Sequence, residues 1–111
     1  MKRFHVALAV SDITISVQEY SQRLGQTPDL IIPDHYALWR TATPNLSIRI
    51  SSNAQSQPLR HLGWELEETD RLSVEVDCNG IAWECFTAQH QAEEIVQAWP
   101  DISYNPTPCS S

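Results

Sequence analysis

Two histidines have the sequence surroundings expected of metal ligands. His5 and His61 lie 56 residues apart in the similar stretches 4–10 and 60–66, where a large apolar, a small and another large apolar residue follow the histidine. Side chains alternate between the two faces of a strand, so each histidine shares its face with small residues. A face kept clear around a histidine is typical of a ligand cavity rather than of a packed core.

Glu84 is the third candidate ligand. It lies in the stretch IAWECFT, where Ala82, Glu84 and Phe86 fall on one face of a predicted strand. A carboxylate between large apolar residues needs a cation, a proton or a partner, because unpaired carboxylates are rarely buried. Two histidines and one carboxylate from three strands match the facial triad of non-haem Fe(II) centres, and they equally suit Zn(II) with a bound water.

Alternative interpretations remain open for these residues. The three candidate ligands could line a cavity that binds an organic ligand without metal, or form a hydrogen-bonded His–Glu pair inside a core. Arg49 could bind an anionic substrate through its planar guanidinium, or it could pair with Glu65, which has the strand parity of His61.

The elements that would position these residues alternate between short apolar strands and amphipathic helices. Strands are predicted at about 4–10, 29–32, 36–41, 46–51, 61–66, 72–77 and 81–87. A first helix is predicted from a cap at Ser11 or Asp12 to Gly25, and a second from about residue 88 to 99, before Pro100. Asn79-Gly80 predicts a tight hairpin turn between the last two strands. The pattern predicts an α+β domain.

Three stretches resemble the vicinal-oxygen-chelate superfamily, which includes glyoxalase, bleomycin-resistance and extradiol dioxygenase proteins. FHVALAVSD with SVQEYSQRLG is similar to the family's opening strand and helix, LRHLGWEL to the first strand of its second module, and DCNGIAWECFT to its closing hairpin. The resemblance covers roughly residues 3–87 and is strongest to the cadmium-induced and organoarsenical-lyase branch, a non-haem Fe(II) group. It implies that His5, His61 and Glu84 hold one divalent metal ion, with Fe(II) favoured over Zn, Ni or Mn.

The same resemblance implies a single glyoxalase-like domain of two unequal βαβββ-like modules. Module one would span about 1–52, a linker 53–58, and module two about 59–100, followed by a tail at 101–111. Only residues 67–71 separate the first strand of module two from its hairpin, so this module is truncated where the family has a helix and usually another strand. We expect a curved mixed sheet with helices on its convex face and a cavity on its concave face.

Two departures from the family's pattern argue against particular activities found within the family. The fourth strand offers Ser47 and Arg49 where glyoxalase I has a fourth, carboxylate ligand, which argues against a lactoylglutathione lyase site. The adjacent cysteine pair of the organoarsenical lyases is absent, since Cys78 and Cys85 are separated. Cys109 lies in the tail.

The composition excludes several other classes of function. The net charge of −7 disfavours nucleic acid and anionic membranes as partners. Three cysteines without CxxC spacing, and no apolar run of about 20 residues, favour a cytoplasmic protein.

The predicted function is a divalent-metal-dependent lyase, isomerase or dioxygenase acting on a small anionic substrate that bears oxygen. Glu84 and Arg49 would be its catalytic residues. A metal-free binding or sequestering protein of the antibiotic-resistance type is the first alternative, and an interaction module that has lost the chemistry is the second. A homodimer is expected, because family members often complete the cavity across modules.

Overall fold

The computed structural model describes residues 2–106, which form seven strands and two helices. The strands are β1 (Lys2–Val10), β2 (Leu30–Ile32), β3 (Tyr36–Arg40), β4 (Asn45–Ile50), β5 (Leu59–Leu66), β6 (Ser73–Val76) and β7 (Ala82–Thr87), and the helices are α1 (Ile13–Leu24) and α2 (Ala88–Ala98). Each predicted element is present, with ends within about two residues of those predicted. The predicted α+β class is confirmed. The predictions for residues 107–111, including Cys109, lie outside the described residues.

Both helices begin at side-chain caps that follow a strand directly. The Ile15 amide donates to Asp12 Oδ1 at 2.9 Å, and α1 ends at Gly25, whose φ of 69° is left-handed. At the start of α2, the His90 amide donates to Thr87 Oγ1 at 3.2 Å and the Thr87 amide donates to His90 Nδ1 at 3.1 Å. Neither helix within residues 2–106 is long and apolar enough to cross a membrane.

One mixed sheet contains all seven strands, in the order β2-β3-β4-β1-β5-β7-β6. β1 runs parallel to β4 and antiparallel to β5, and β5 runs parallel to β7. The β1–β5 pair therefore joins a first half of four strands to a second half of three. His5 pairs with Gly63 and Ala7 pairs with His61, which makes the two histidines diagonal neighbours on this pair.

The two helices pack on opposite faces of the first half of the sheet. On one face, α1 packs against a core that includes Trp39 and Ile48. On the other face, Ile95 of α2 packs against Tyr36 and Leu38, the residues that alternate with Trp39 along β3. This corrects the prediction that both helices cover the convex face, since α2 lies across the face that carries His5. The apolar side of α2 packs against this face of the sheet.

The second half of the sheet is shorter, as the spacing predicted. Residues 67–72 connect β5 to β6 without a helix. On the face that α1 covers in the first half, the rings of Phe4 and Trp64 lie 5.4 Å apart and those of Phe4 and Trp83 lie 6.3 Å apart. These three rings remain half-buried, so they shield one another where the first half has a helix.

Candidate metal centre

The structure brings the three predicted ligands together on adjacent strands. Nε2 of His5 lies 2.9 Å from Nε2 of His61, and Nε2 of His61 lies 3.3 Å from Oε1 of Glu84. One ligand atom from each residue lies within 4.8 Å of the other two. Two atoms bound to one ion at about 2.0–2.2 Å are about 3–3.5 Å apart, so the His5–His61 and His61–Glu84 distances match those of atoms that share one ion.

The protonation of both histidines suits ligation. Burial lowers the pKa of His5, against the opposing effect of its hydrogen bonds with Asn45. Burial also lowers the pKa of His61 to about 3, and the charges of His5 and Arg60 act in the same direction. Metals bind neutral imidazole, so both residues are in the ligand form at neutral pH. Without an ion, the two close nitrogens can share one proton in a hydrogen bond.

Glu84 is a carboxylate in a partly dehydrated position. Burial raises the pKa of Glu84, the nearby negative charge of Glu94 adds to this effect, and Arg60 opposes it. The Glu84 side chain is still 20% exposed, so a ligand can reach it. A cation next to this carboxylate favours its charged form and offsets the burial cost.

Gly63 controls the approach of β7 to β5 at the site. It pairs with His5 on one side and with Glu84 on the other. A Cβ placed on Gly63 would lie 3.0 Å from the backbone nitrogen of Glu84 and closer still to its carbonyl group. The sequence suggested that Gly63 keeps a cavity clear, whereas the structure shows that it leaves room for the neighbouring backbone.

A buried chain of polar side chains fixes the orientation of the His5 ring. Nδ2 of Asn45 donates to Oε1 of Glu65 at 2.8 Å. A carboxylate only accepts, so the amide is turned with Oδ1 toward His5, and Nδ1 of His5 donates to it at 3.0 Å. Nε2 of His5 then carries the lone pair that faces His61. This is the arrangement that outer partners of metal-bound histidines produce.

Glu65 anchors that chain and is fully buried. Arg40 donates to both of its oxygens, from Nε at 2.9 Å and from Nη2 at 3.0 Å, and Arg3 donates from Nη1 at 2.5 Å. Two guanidiniums therefore compensate the buried carboxylate. The interpretation of Arg49 as the partner of Glu65 is wrong, because the structure places Arg49 over the ring of Trp99, 4.9 Å from its centroid.

Helix α2 joins this network through one amide. Gln91 accepts from Nδ2 of Asn45 at 2.8 Å and donates to Oδ1 of Asn45 at 3.2 Å. The roles of Asn45, Gln91 and Glu65 were not predicted from the sequence. Of these three, only Glu65 could have been recognised in the sequence, because it is a carboxylate in the middle of the apolar strand β5 with the same parity as His61.

A pocket opens between the sheet and α2 beside the three ligand residues. Tyr36, Phe86 and Trp99 form an aromatic part of its wall, and Arg49 and Arg60 also line it. Burial raises the pKa of Tyr36 to about 12, so its phenol remains protonated and can act as a hydrogen-bond donor at neutral pH. Arg49 was a predicted site residue, whereas Arg60 was not.

Comparison with known proteins gives little beyond the fold. No protein-family model and no curated protein matches the sequence. A solved structure of an NAD-dependent benzaldehyde dehydrogenase from Legionella pneumophila superposes with a TM-score of 0.53 at 12% sequence identity, covering 76% of this chain and 97% of that chain. At this identity the similarity concerns the fold alone.

Proposed function

We propose that this chain is a divalent-metal-dependent lyase, isomerase or dioxygenase of the vicinal-oxygen-chelate type, acting on a small anionic substrate that bears oxygen. The observation that carries the proposal is the convergence of one ligand atom each from His5, His61 and Glu84 within 4.8 Å of one another. The two lowered histidine pKa values and the partly dehydrated carboxylate support it further.

The proposed roles follow from the chemistry of each side chain. His5, His61 and Glu84 would hold one ion, with Fe(II) favoured over Zn, Ni or Mn. A divalent ion there supplies a Lewis acid toward substrate oxygens, and iron adds reactivity toward O2. Glu84 is also proposed as a catalytic residue, since a carboxylate beside the substrate can accept a proton from it. Arg49 would orient an anionic group of the substrate.

A metal-free small-molecule binder is the second candidate. The aromatic wall formed by Tyr36, Phe86 and Trp99 favours it, since aromatic lining is common in pockets for organic ligands. The hydrogen bond between the two histidines would then satisfy them without an ion. The two candidates differ in one measurable property, which is metal content.

For either function, we propose that the protein is a homodimer, is located in the cytoplasm and binds a small molecule. Nucleic acid and membranes are disfavoured as partners by the net charge of −7.

Metal analysis of anaerobically purified protein tests the proposal. Wild type is compared with His61→Ala and with His35→Ala, whose exposed histidine lies in the turn between β2 and β3. We expect about one equivalent of metal in wild type and in His35→Ala, and its loss in His61→Ala. Saturation with Fe(II) at about 100 times its dissociation constant should add about 2.7 kcal/mol to the unfolding free energy of the two metal-binding proteins.

The contrary outcome is equally clear. Wild-type protein that carries no metal and takes up no added Fe(II), while remaining folded, would refute the metalloenzyme proposal. The metal-free binder would then be the better description of the site.

A further inference from the structure

We propose that Arg49 and Arg60 form an anion subsite in the pocket, which holds a carboxylate group of the substrate beside the three ligand residues. The substrate class is thus a small organic acid whose carboxylate is separate from the oxygens that face His61 and Glu84. The inference deepens the proposed function and rests on it for the reaction, but anion binding itself can be measured without metal.

A β-bulge brings Arg60 to the pocket. In the register of β1 with β5, Ala7 pairs with His61 and Leu8 pairs with Leu59, so Arg60 is the extra residue without an opposite partner. Strict alternation would direct Arg60 and His61 to opposite faces of the sheet. Both instead line the same pocket. Bulges of this kind redirect a side chain and are over-represented next to active sites.

Arg49 reaches the same pocket from β4. It lies on the strand face of Asn45 and Ser47, and its guanidinium lies over the ring of Trp99. This stacking holds a flexible side chain at the pocket wall and leaves the edge of the guanidinium available for hydrogen bonds.

Arg49 and Arg60 place two positive charges at the wall of one pocket, which Glu84 and Glu94 also line. Within residues 2–106, neither guanidinium has a carboxylate oxygen within 4.0 Å. Two like charges at one wall with no ion pair among the described residues are the arrangement that an incoming anion stabilises.

The position of the subsite explains what it could contribute. Arg49, Arg60, His61 and Glu84 line a common pocket, and Arg60 directly precedes His61 in the chain. A carboxylate bound between the guanidiniums would place the rest of a small acid toward the ligand atoms of His61 and Glu84. Arg60 is therefore assigned as a residue that determines specificity, with Arg49 as its partner.

Titration calorimetry of metal-free protein tests the subsite. Chelator-treated wild type, Arg60→Gln, Arg49→Gln and the double variant are titrated with malonate and with inorganic phosphate. Arg23→Gln is the matched control, because Arg23 is an exposed arginine on α1. We expect wild type and Arg23→Gln to bind malonate equally, each single pocket variant to bind about tenfold more weakly, and the double variant to show no binding.

Three results would overturn the inference. The first is equal malonate affinity in wild type and the double variant, and the second is no malonate binding by wild type. The third is binding of phosphate in clear preference to malonate, which would contradict the carboxylate class. Circular dichroism of each variant confirms that it is folded, as we expect for replacements at exposed positions.

Fe(II) uptake by the same proteins separates this inference from the proposed function. Arg60→Gln protein that keeps its metal and binds malonate about tenfold more weakly supports both. Wild type that binds malonate through the two arginines but takes up no Fe(II) would support the subsite and refute the metalloenzyme. Wild type that takes up Fe(II) but binds no malonate would refute the subsite alone.

Discussion

Replacement of Glu65 by glutamine removes a fully buried negative charge that two arginines contact. The Arg40 side chain is 4% exposed and the Arg3 side chain is 11% exposed. Little water therefore reaches the two guanidinium charges to replace the lost carboxylate. Glutamine keeps the shape of the side chain and one acceptor oxygen, which makes the loss of charge the main change. Removing one partner of a buried ion pair costs about 3–5 kcal/mol. A domain of this size has a total unfolding free energy of about 5–15 kcal/mol, so the loss is a large part of it.

The same replacement should disturb the site. The carboxylate is the reason that Asn45 presents its oxygen to His5, and a glutamine amide can offer either a donor or an acceptor to Asn45. We therefore expect part of the His5 population to move its proton to Nε2, the atom that faces His61. Loss of such an outer partner typically lowers metal affinity by about 10–100-fold.

Urea unfolding followed by tryptophan fluorescence measures the stability change, and the ¹⁵N shifts of the His5 ring report its tautomer. Glu19→Gln is the control, because Glu19 forms an exposed pair with Arg23 on α1 and should change stability by less than about 1 kcal/mol. Adding Arg40→Met to Glu65→Gln should recover part of the loss. A loss of less than about 1 kcal/mol for Glu65→Gln, with an unchanged His5 tautomer, would refute the reasoning.

Two further predictions concern strand spacing and pH. Gly63→Ala places a methyl group against the backbone of Glu84, so we expect its urea unfolding free energy to fall by about 1–3 kcal/mol or more, while Ser73→Ala on the exposed strand β6 stays within about 0.5 kcal/mol of wild type. The folded-state pKa values of His5 and His61 lie below 6.5, so the unfolded chain binds more protons, and the unfolding free energy should fall as pH drops from 6.5 toward 3. The raised pKa of Glu84 has the opposite sign, because its stabilising contribution is lost as pH rises through its titration. Urea unfolding of His61→Gln between pH 7 and 4 should show a shallower pH dependence than wild type, and an unchanged slope would contradict this assignment.

Much of the fold follows from local chemistry that is visible in the sequence. Asp12 and Gly25 mark the ends of α1 because a side-chain cap and a left-handed residue are local requirements. His5, His61 and Glu84 were found because strand alternation fixes the face of each one. The repeated sequence around the histidines then indicated that their strands are equivalent.

Three features could not be predicted, and each depends on a contact between distant parts of the chain. Alternation assigns Arg60 to the wrong face, because a bulge against β1 redirects it. Strand parity made Arg49 the candidate partner of Glu65, whereas the folded sheet brings Arg3 and Arg40 to it. The side of the sheet on which α2 packs is decided by the surface that Tyr36 and Leu38 offer to Ile95.

The central position of β1 also has a consequence for the order of folding. β1 pairs with β4 on one side and with β5 on the other, so His5 reaches its neighbours only through pairings that are distant in sequence. Such contacts close long loops and form slowly, whereas α1 and the β6–β7 hairpin depend on local contacts. We therefore expect the helix and hairpin to form early and the site to assemble late. Any native-state fluctuation that detaches β1 from the sheet should dissolve the site as a whole.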